Sequence, residues 1–202
     1  MKGSAIVKNS YTEIAEKYHK QRKLYPNRRL LMKFKKHLPK GSRVLDLGCG
    51  AGFPISKFLV ENGYKVTGID FSDGMLKLAK KNVPEAKFVK MDMTKLKFKS
   101  NSFDGAVSFY AIIHVPRKRH SRIYKSLHKI LNPNGVMLLN ASGTRDWEES
   151  VEDYMGAPMF WSFYSPKKTL RMIRKEGFGI IWSRVLRLGN ESQFWVLAKN
   201  KK

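Results

Sequence analysis

The residues best suited to chemistry lie in the stretch VLDLGCGAGFP, which begins at Val44. Its glycines Gly48, Gly50 and Gly52 occupy every second position, so the backbone can turn sharply and approach a ligand with no side chain between them. Dinucleotide-binding loops have the spacing GxGxxG and hold a pyrophosphate on the backbone N–H groups of the following helix. This loop instead carries Asp46 inside the preceding strand, where it would repel a pyrophosphate. The pattern favours a ligand with a cationic ammonium group and no phosphate.

Three further stretches extend the pattern along the chain. They are VTGIDFSDGML, with Asp70 at the end of a second apolar run, then KFVKMDMTKLKFKSNSFDGAVSFYAIIHV, and finally LHKILNPNGVMLL. Together with the first loop, over roughly residues 10 to 140, they resemble the class I S-adenosylmethionine-dependent methyltransferases. The closest resemblance is to the ubiquinone/menaquinone methyltransferase-like group, or methyltransferase type 11 domain. It implies S-adenosylmethionine as cofactor and S-adenosylhomocysteine as product.

The same resemblance implies where the adenosine part of the cofactor binds. Asp70 is expected to accept both ribose hydroxyls, because a carboxylate has two acceptor oxygens and no proton. Phe71 and Met75 are expected to flank the adenine, one as a ring and the other as a polarizable thioether. Asp92 is expected to accept the exocyclic amine, beside the backbone of Met93.

The methionine part of the cofactor is expected at the glycine loop. The residues assigned to it are Asp46, Gly48, Cys49, Gly50 and Phe109. Several of the assigned residues also have a structural alternative. Asp46 could cap N–H groups of its own loop, Asp70 could be a turn residue, and Met75 could belong to the core.

The N-terminal stretch YTEIAEKYHKQRKLYP resembles the helical cap that folds over the cofactor in this family. Tyr11 and Tyr18 are seven positions apart and therefore share one face of a helix. We expect them to close over the methionine end and exclude water. The alternative is a surface helix that packs two tyrosines on the core.

His114 is the candidate catalytic residue. Methyl transfer requires an acceptor atom held roughly 3 Å from the methyl carbon, and some acceptors must also lose a proton. Imidazole titrates near neutral pH, and His114 follows the fourth strand by a few residues, so it is the best-placed general base. The alternative is a histidine that supports the loop.

Residues 144–165, TRDWEESVEDYMGAPMFWSFYS, are predicted to select the methyl acceptor. They combine the densest acidic cluster of the chain with six aromatic residues. Such a segment favours a lid over a pocket for a small, partly apolar molecule. The acidic group either attracts a cationic acceptor or offsets the surrounding basic surface.

Strands that alternate with helices must position these residues. The predicted strands are 43–47, 65–69, 87–91, 105–109, 136–140, 180–186 and 193–199, and the predicted helices are 1–38 with a break at Pro26, 54–62, 73–82, 117–131 and 166–176. The pattern predicts an α/β fold with a Rossmann-like, doubly wound, mostly parallel seven-stranded sheet. The last two strands, separated by the turn LGNES, are too close for a helical crossover and should form an antiparallel hairpin.

The length of 202 residues predicts a single domain. We divide it into a basic helical cap (1–40), a cofactor-binding core (41–140), the acceptor lid (144–165) and a C-terminal helix and hairpin (166–202). No signal peptide and no membrane-spanning run is recognisable, and the lone Cys49 supplies neither a disulfide nor a metal cluster. These features predict a cytoplasmic protein with no metal site.

Charge leaves the choice of partner open. Forty Lys and Arg against sixteen Asp and Glu give a net charge of +24. Such an excess is either a solvated surface or an attraction for nucleic acid or another acidic partner. The favoured prediction is methyl transfer to a small molecule, with no membrane partner. The alternatives are an RNA methyltransferase that uses the basic surface, or a non-catalytic cofactor-binding module that holds nucleic acid or a partner.

Overall fold

The computed structural model describes residues 2–21, 25–188 and 191–202. Within these residues the N-terminal region forms three helices: α1 (Lys2–Glu13), α2 (Ala15–Gln21) and α3 (Tyr25–Lys35). The predicted break at Pro26 falls in the first turn of α3, where the missing N–H of proline sacrifices no helical hydrogen bond. Leu24, which we assigned to this helical region, lies outside the described residues.

Strands and helices alternate through the rest of the chain. The elements are β1 (Arg43–Leu47), α4 (Ile55–Glu61), β2 (Lys65–Asp70), α5 (Asp73–Asn82), β3 (Lys87–Lys90), β4 (Phe103–Ser108), α6 (His120–Ile130), β5 (Leu131–Ser142), β6 (Trp147–Tyr154), β7 (Ala157–Phe163), α7 (Pro166–Lys175), β8 (Phe178–Leu188) and β9 (Glu191–Asn200). Short 3₁₀ turns occupy Met93–Lys95, Ile112–His114 and Arg117–Arg119.

The main sheet of the described chain has seven strands in the order β3-β2-β1-β4-β5-β9-β8. Neighbours among β1 to β5 are parallel, whereas β9 is antiparallel to both β5 and β8. The predicted fold class and the C-terminal antiparallel hairpin are therefore confirmed. Strand order reverses between β1 and β4, and the carboxyl ends of these two strands form the crevice where ligands bind in such sheets.

Hydrophobic residues pack on both faces of the sheet. Side chains alternate along β1, so Leu45 and Leu47 join the core under α6 and α7, while Val44 joins the core under α3 and α4. Helix α6 presents its buried residues at intervals of three or four: Ile123, Tyr124, Leu127 and Ile130. Two buried faces on one sheet explain the near-continuous apolar character of the central strands.

The boundary between α6 and β5 differs from the prediction. The predicted helix 117–131 begins with a 3₁₀ turn and ends at Ile130, and β5 starts at Leu131. The sequence NPNG lies inside β5 as a bulge, because Leu131 pairs with Phe103 and the next pair is Val136 with Gly105. Asn134 adopts a positive φ of 64° there. The turn chemistry was thus recognised, but the strand continues across it.

Residues 144–165 contain the second, two-stranded sheet, in which β6 pairs antiparallel with β7. This hairpin packs on α1 through a cluster that includes Val7, Ile14 and Met159. In the turn between β8 and β9, Gly189 and Asn190 lie outside the described residues. None of the helices in the described ranges has the length and apolar character needed to span a membrane.

Candidate functional site

The glycine loop after β1 is fastened to β2 by its own N–H groups. The N–H groups of Gly48 and Cys49 both donate to the carbonyl oxygen of Ile69, at 2.8 and 3.0 Å. The N–H of Gly50 donates to Oδ2 of Asp70 at 3.0 Å. These three N–H groups are thus used within the protein, unlike the N–H groups that hold a pyrophosphate in dinucleotide-binding loops.

Gly48 can be nothing but glycine in this loop. Its φ is +69°, and an added Cβ would lie 2.2 Å from the Cβ of Ala111. Both the left-handed backbone and this close approach exclude a side chain. The loop after β4, to which Ala111 belongs, can therefore pack directly on the loop after β1.

Asp70 ends β2 with its carboxylate almost buried, at 9% exposure. Its Oδ1 accepts the N–H of Ser72 at 2.9 Å, while Oδ2 accepts the N–H of Gly50. Each oxygen retains a second lone pair for a ligand hydroxyl. Burial raises the pKa of this carboxyl, and the backbone donors act in the opposite direction.

Asp46 and Cys49 line a small pocket on this loop, which Tyr18, Gly48, Gly50 and Phe109 also line. Asp46 is 1% exposed, and its Oδ2 accepts the hydroxyl of Ser56 in α4 at 2.7 Å. Burial raises the pKa of Asp46 to about 7, Ser56 opposes the shift and the nearby Asp70 adds to it. Burial also raises the pKa of the Cys49 thiol. The side chain of Asp46 is thus held by a helix hydroxyl rather than by loop N–H groups.

The main cavity opens at the carboxyl ends of β1, β2 and β4. Eleven of the thirteen predicted site residues line it: Tyr11, Tyr18, Gly48, Gly50, Asp70, Phe71, Met75, Asp92, Met93, Phe109 and His114. Met75 also packs with Ala15 and Ala51, so its core role and its place in the cavity coexist. Asp92 is exposed, and its Oδ1 accepts the N–H of Thr94 at 2.8 Å.

Tyr11 and His114 form a hydrogen-bonded pair between the cap and the loop after β4. The distance from Tyr11 Oη to His114 Nε2 is 2.9 Å, and the distance from His114 Nδ1 to the carbonyl oxygen of Phe160 is 2.8 Å. A carbonyl oxygen only accepts, so Nδ1 carries the proton and Nε2 accepts from the tyrosine hydroxyl. Burial lowers the pKa of His114 to about 4, against the opposing effect of the Phe160 bond. The imidazole is therefore neutral near pH 7.

A row of rings extends from this pair in both directions. The centroid of Tyr11 lies 5.1 Å from that of Tyr18 and 5.4 Å from that of His114. Trp161 of β7 follows at 5.8 Å from His114, and Tyr154 of β6 lies 5.3 Å from Trp161. Three of these contacts are edge-to-face, an attractive geometry for aromatic rings.

A second, open cleft of about 900 Å³ lies beside the cavity. The cavity and the cleft share four residues: Tyr11, Tyr18, Tyr110 and His114. The outer walls of the cleft come from the β6–β7 hairpin and include Trp147, Glu149, Tyr154, Trp161 and Phe163. The two spaces thus meet at the row of rings.

Most of the acidic cluster in residues 144–165 is occupied by neighbours. Asp146 lies 2.5 Å from Nζ of Lys168, which lowers the pKa of this carboxyl to about 2 together with the N–H of Ser165. Glu148 accepts the hydroxyl of Ser162 at 2.6 Å and lies 3.7 Å from Nε of Arg117. These pairs support the interpretation that the cluster offsets the surrounding basic charge.

Tyr110 is a site residue that we did not predict. It follows β4 with a φ of 58°, a left-handed conformation that side chains rarely adopt. Its hydroxyl donates to Oδ1 of the buried Asn27 at 3.2 Å, and its ring lies 5.6 Å from that of Trp195. The sole sequence signal was its position just after a strand that borders the crevice.

Comparison with known proteins identifies proteins that are similar in sequence to this chain. Residues 44–135 match the family described as a methyltransferase domain. The YqeM protein of Bacillus subtilis, which carries a methyltransferase name, is 29% identical over 157 residues, 72% of this chain and 63% of that protein. A sterol 24-C-methyltransferase of Pneumocystis carinii is 33% identical over 102 residues, 48% of this chain and 26% of that enzyme. The chain thus spans less than two thirds of either relative's length.

A solved structure shows the same fold over nearly the whole chain. It is the 1,6-didemethyltoxoflavin-N1-methyltransferase of Burkholderia thailandensis with bound 1,6-didemethyltoxoflavin and S-adenosylhomocysteine. Its TM-score is 0.76 at 17% identity, over 98% of this chain and 89% of that one.

Proposed function

We propose that this chain is a class I S-adenosylmethionine-dependent methyltransferase that transfers the methyl group to a small molecule. The match of residues 44–135 to a methyltransferase domain and the fold shared with a solved methyltransferase support this proposal. The observation that carries the proposal is the junction of two spaces at Tyr11 and His114. One space has the acceptor groups of a nucleoside site, and the other is an aromatic cleft. A methyl group passes between two such sites only where they meet.

The residues of the main cavity fit the cofactor. Asp70 has lone pairs left for two ribose hydroxyls, and Phe71 and Met75 supply an apolar slot for adenine. Gly48 and Gly50 line the cavity without a side chain, so the backbone of the loop is the part that would contact the methionine chain. When bound, the cofactor supplies a sulfonium-activated methyl group.

Two buried carboxyls favour a cationic ligand at this site. Asp46 and Asp70 raise each other's energy when both are ionised, and burial adds to this cost. A positive charge nearby compensates for it. The ammonium and sulfonium groups of S-adenosylmethionine provide that charge, whereas a dinucleotide would add negative charge.

The acceptor binds in the cleft under the β6–β7 hairpin. The walls of the cleft are largely aromatic, with Glu149 and Gln193 among the polar groups. Its size of about 900 Å³ suits a small molecule. The sterol enzyme and the toxoflavin-precursor enzyme, by their names, both act on small molecules, which supports this choice.

His114 is proposed to take the acceptor's proton or to orient the group that does. Its Nε2 holds the lone pair of a neutral imidazole and faces the shared boundary of the two spaces. An acceptor hydroxyl or amine that replaces the Tyr11 hydroxyl would donate to this nitrogen. Since the pKa of His114 is about 4, it can accept a proton only from a group that becomes acidic as the new bond to carbon forms.

Calorimetry with S-adenosylhomocysteine tests the cofactor site. We expect the wild-type protein to bind it and Asp70→Asn to bind at least about tenfold more weakly, because one ribose acceptor becomes a donor. Asp73→Asn is the matched control, since Asp73 is exposed, pairs with Lys90 and does not line the cavity. Absence of binding to the wild-type protein would contradict the whole proposal.

Transfer of a labelled methyl group into fractionated cell extract tests the acceptor class. We expect the label in the small-molecule fraction, and label confined to RNA or protein would contradict that part of the proposal. With the acceptor identified, His114→Gln should lower kcat by roughly tenfold or more. Its affinity for S-adenosylhomocysteine should stay within about twofold, which separates a role in proton transfer from a structural one.

A further inference from the structure

Three segments of the sequence that contribute to one face of the molecule are rich in basic residues and contain no acidic residue. Residues 93–99, 117–130 and 166–175 contain many Lys and Arg residues and no Asp or Glu. These segments are the 3₁₀ turn after β3 with the residues that follow it, then α6 with its leading turn, and α7. None of them contributes a basic side chain to the main cavity or to the cleft.

The three segments lie side by side on the same face of the sheet. Helix α6 contacts both the Met93–Lys95 turn and α7. All three bury their apolar residues in the same core cluster, as shown by Leu96, Phe98, Ile123 and Ile173. Their basic side chains must therefore point away from the sheet on one common side. We call this side the basic face.

The exposed basic residues of this face form three rows, one on each segment. The rows are Lys95, Lys97 and Lys99, then Lys118 in the 3₁₀ turn with Arg122, Lys125 and Lys129 on α6, and Lys167, Arg171, Arg174 and Lys175 on α7. Intervals of three or four residues keep Arg122, Lys125 and Lys129 on one stripe of α6. From Arg122 to Lys129 this row extends about 10 Å at 1.5 Å per residue, a length along which one strand of a duplex carries about three phosphates.

Few of these charges are neutralised within the protein. In the described part of the chain, ion pairs on these segments involve Arg117 with Glu148 and Lys168 with Asp146. Among the residues that the structure describes, the large hydrophobic side chains that are exposed are Met32 in α3 and Ile181 and Val185 in β8. The basic face thus lacks the apolar anchors that membrane surfaces and protein hot spots require.

We propose that the basic face docks the phosphate backbone of a nucleic acid. Three rows of cations without apolar anchors match a polyanion that is recognised by charge and spacing, not by buried side chains. Docking on this face is separate from methyl transfer and does not depend on the identity of the acceptor.

The test measures binding of a fluorescein-labelled 20-base-pair RNA duplex by anisotropy between 50 and 200 mM KCl. One variant neutralises the basic face with Arg122→Gln, Lys125→Gln, Arg171→Gln and Arg174→Gln. The matched control carries the same charge change on the opposite side, with Arg28→Gln, Arg29→Gln, Lys36→Gln and Lys40→Gln. All eight positions are exposed, so neither variant disturbs the core.

We expect the face variant to lose at least about tenfold in affinity and to show a slope of log K against log salt that is smaller by roughly three. The control should stay within about twofold of wild type. Equal losses in both variants would overturn the proposal, because net charge alone would then explain binding. Absence of RNA binding at 50 mM KCl would overturn it too, as would tighter binding to phosphatidylserine vesicles or to polyglutamate. Both variants should bind S-adenosylhomocysteine like wild type, so this result is independent of the proposed function.

Discussion

At the scale of single residues, ionisation of the buried Asp46 carboxyl costs folding stability, although the ionised carboxylate would favour the cationic ligand that we propose. Its carboxyl is buried between β1 and α4 with Ser56 as its hydrogen-bond donor, and its pKa is raised to about 7. A raised pKa means that the folded protein holds the proton more firmly than the unfolded chain. Stability conferred by the protonated form is therefore lost as pH rises from about 4 to about 7.

Asp46→Asn should remove this loss, because an amide still accepts the Ser56 hydroxyl but never ionises. We expect the variant and wild type to be similarly stable at pH 4.5. At pH 8 the variant should be more stable by an amount on the order of 4 kcal/mol. Its affinity for S-adenosylmethionine at pH 8 should fall by roughly tenfold, since the cation loses a carboxylate. Urea unfolding at both pH values and calorimetry measure these effects.

Asp104 offers a control of opposite sign. It accepts the N–H of Arg43 at 2.7 Å, and the pKa of its carboxyl is lowered. Stability from such a group is present above the unfolded pKa and lost in acid, so Asp104→Asn should destabilise the protein at pH 8. If Asp46→Asn also destabilised it at pH 8, our account of Asp46 would be wrong.

Sequence patterns predicted the site residues that are recognisable by their residue type and by their position relative to a strand end. Gly48 and Asp70 stand at fixed positions relative to strand ends, and such positions can be read along the chain. Tyr110 could not be found in this way, because its left-handed φ of 58° and its contacts with Asn27 and Trp195 arise only in the folded structure. Likewise, the bond between Thr12 and Ser72 depends on how the cap packs.

At the scale of elements, helix α1 lines the proposed cofactor cavity with Val7 and Tyr11. The free volume of the cavity is about 80 Å³ with α1 in place, too little for a nucleoside and a methionine chain together. Helix α1 is held by the contact of Thr12 with Ser72 and by a hydrogen bond from Ser10 to the Pro158 carbonyl. We therefore expect α1 to shift when the cofactor enters.

Gly74 lets α1 approach α5 closely, and Gly74→Ala should loosen the cap. An added Cβ would lie 2.8 Å from the carbonyl oxygen of Thr12, which is backbone and cannot rotate away. We expect affinity for S-adenosylhomocysteine to fall about five- to tenfold and proteolysis within α1 to accelerate. Alanine favours the α5 helix itself, so global stability should change little.

Lys77→Ala is the matched control for this prediction, since Lys77 is exposed on the same helix. It should leave both affinity and proteolysis unchanged. Unaltered binding in Gly74→Ala would mean that the position of α1 does not govern the cofactor site.

The elements of the core were predictable, whereas the hairpin was not. Strands β1 and β2 are short apolar runs bounded by turn residues, and such runs carry their own signal. In β6 the sequence WEESVEDY is mostly polar and gives no apolar alternation. Its strand conformation results from pairing with β7 and from the packing of β7 on α1. That information is tertiary and absent from the local pattern.

At the scale of the whole molecule, the basic surface and the buried acidic residues of the proposed cofactor site occupy different places. The net charge of +24 arises from the excess of Lys and Arg, and yet two of the carboxyls assigned to the cofactor site, those of Asp46 and Asp70, are buried. The basic surface attracts anions over distances up to the Debye length, which is about 8 Å at physiological salt. The proposed cofactor site would select for positive charge at contact distance. On these two proposals, a polyanion on the surface and a sulfonium in the interior would not compete with each other.

The row of rings has a kinetic consequence. Tyr11 and Tyr18 line both the cavity and the cleft that we propose for the acceptor. With the cap open for cofactor entry, as we propose, the wall of this cleft would be incomplete. We therefore expect an ordered reaction, in which the cofactor binds before the acceptor and S-adenosylhomocysteine dissociates last. Product inhibition by S-adenosylhomocysteine should be competitive towards the cofactor and noncompetitive towards the acceptor. The helix that protects the methyl donor from water would then also set the order of turnover.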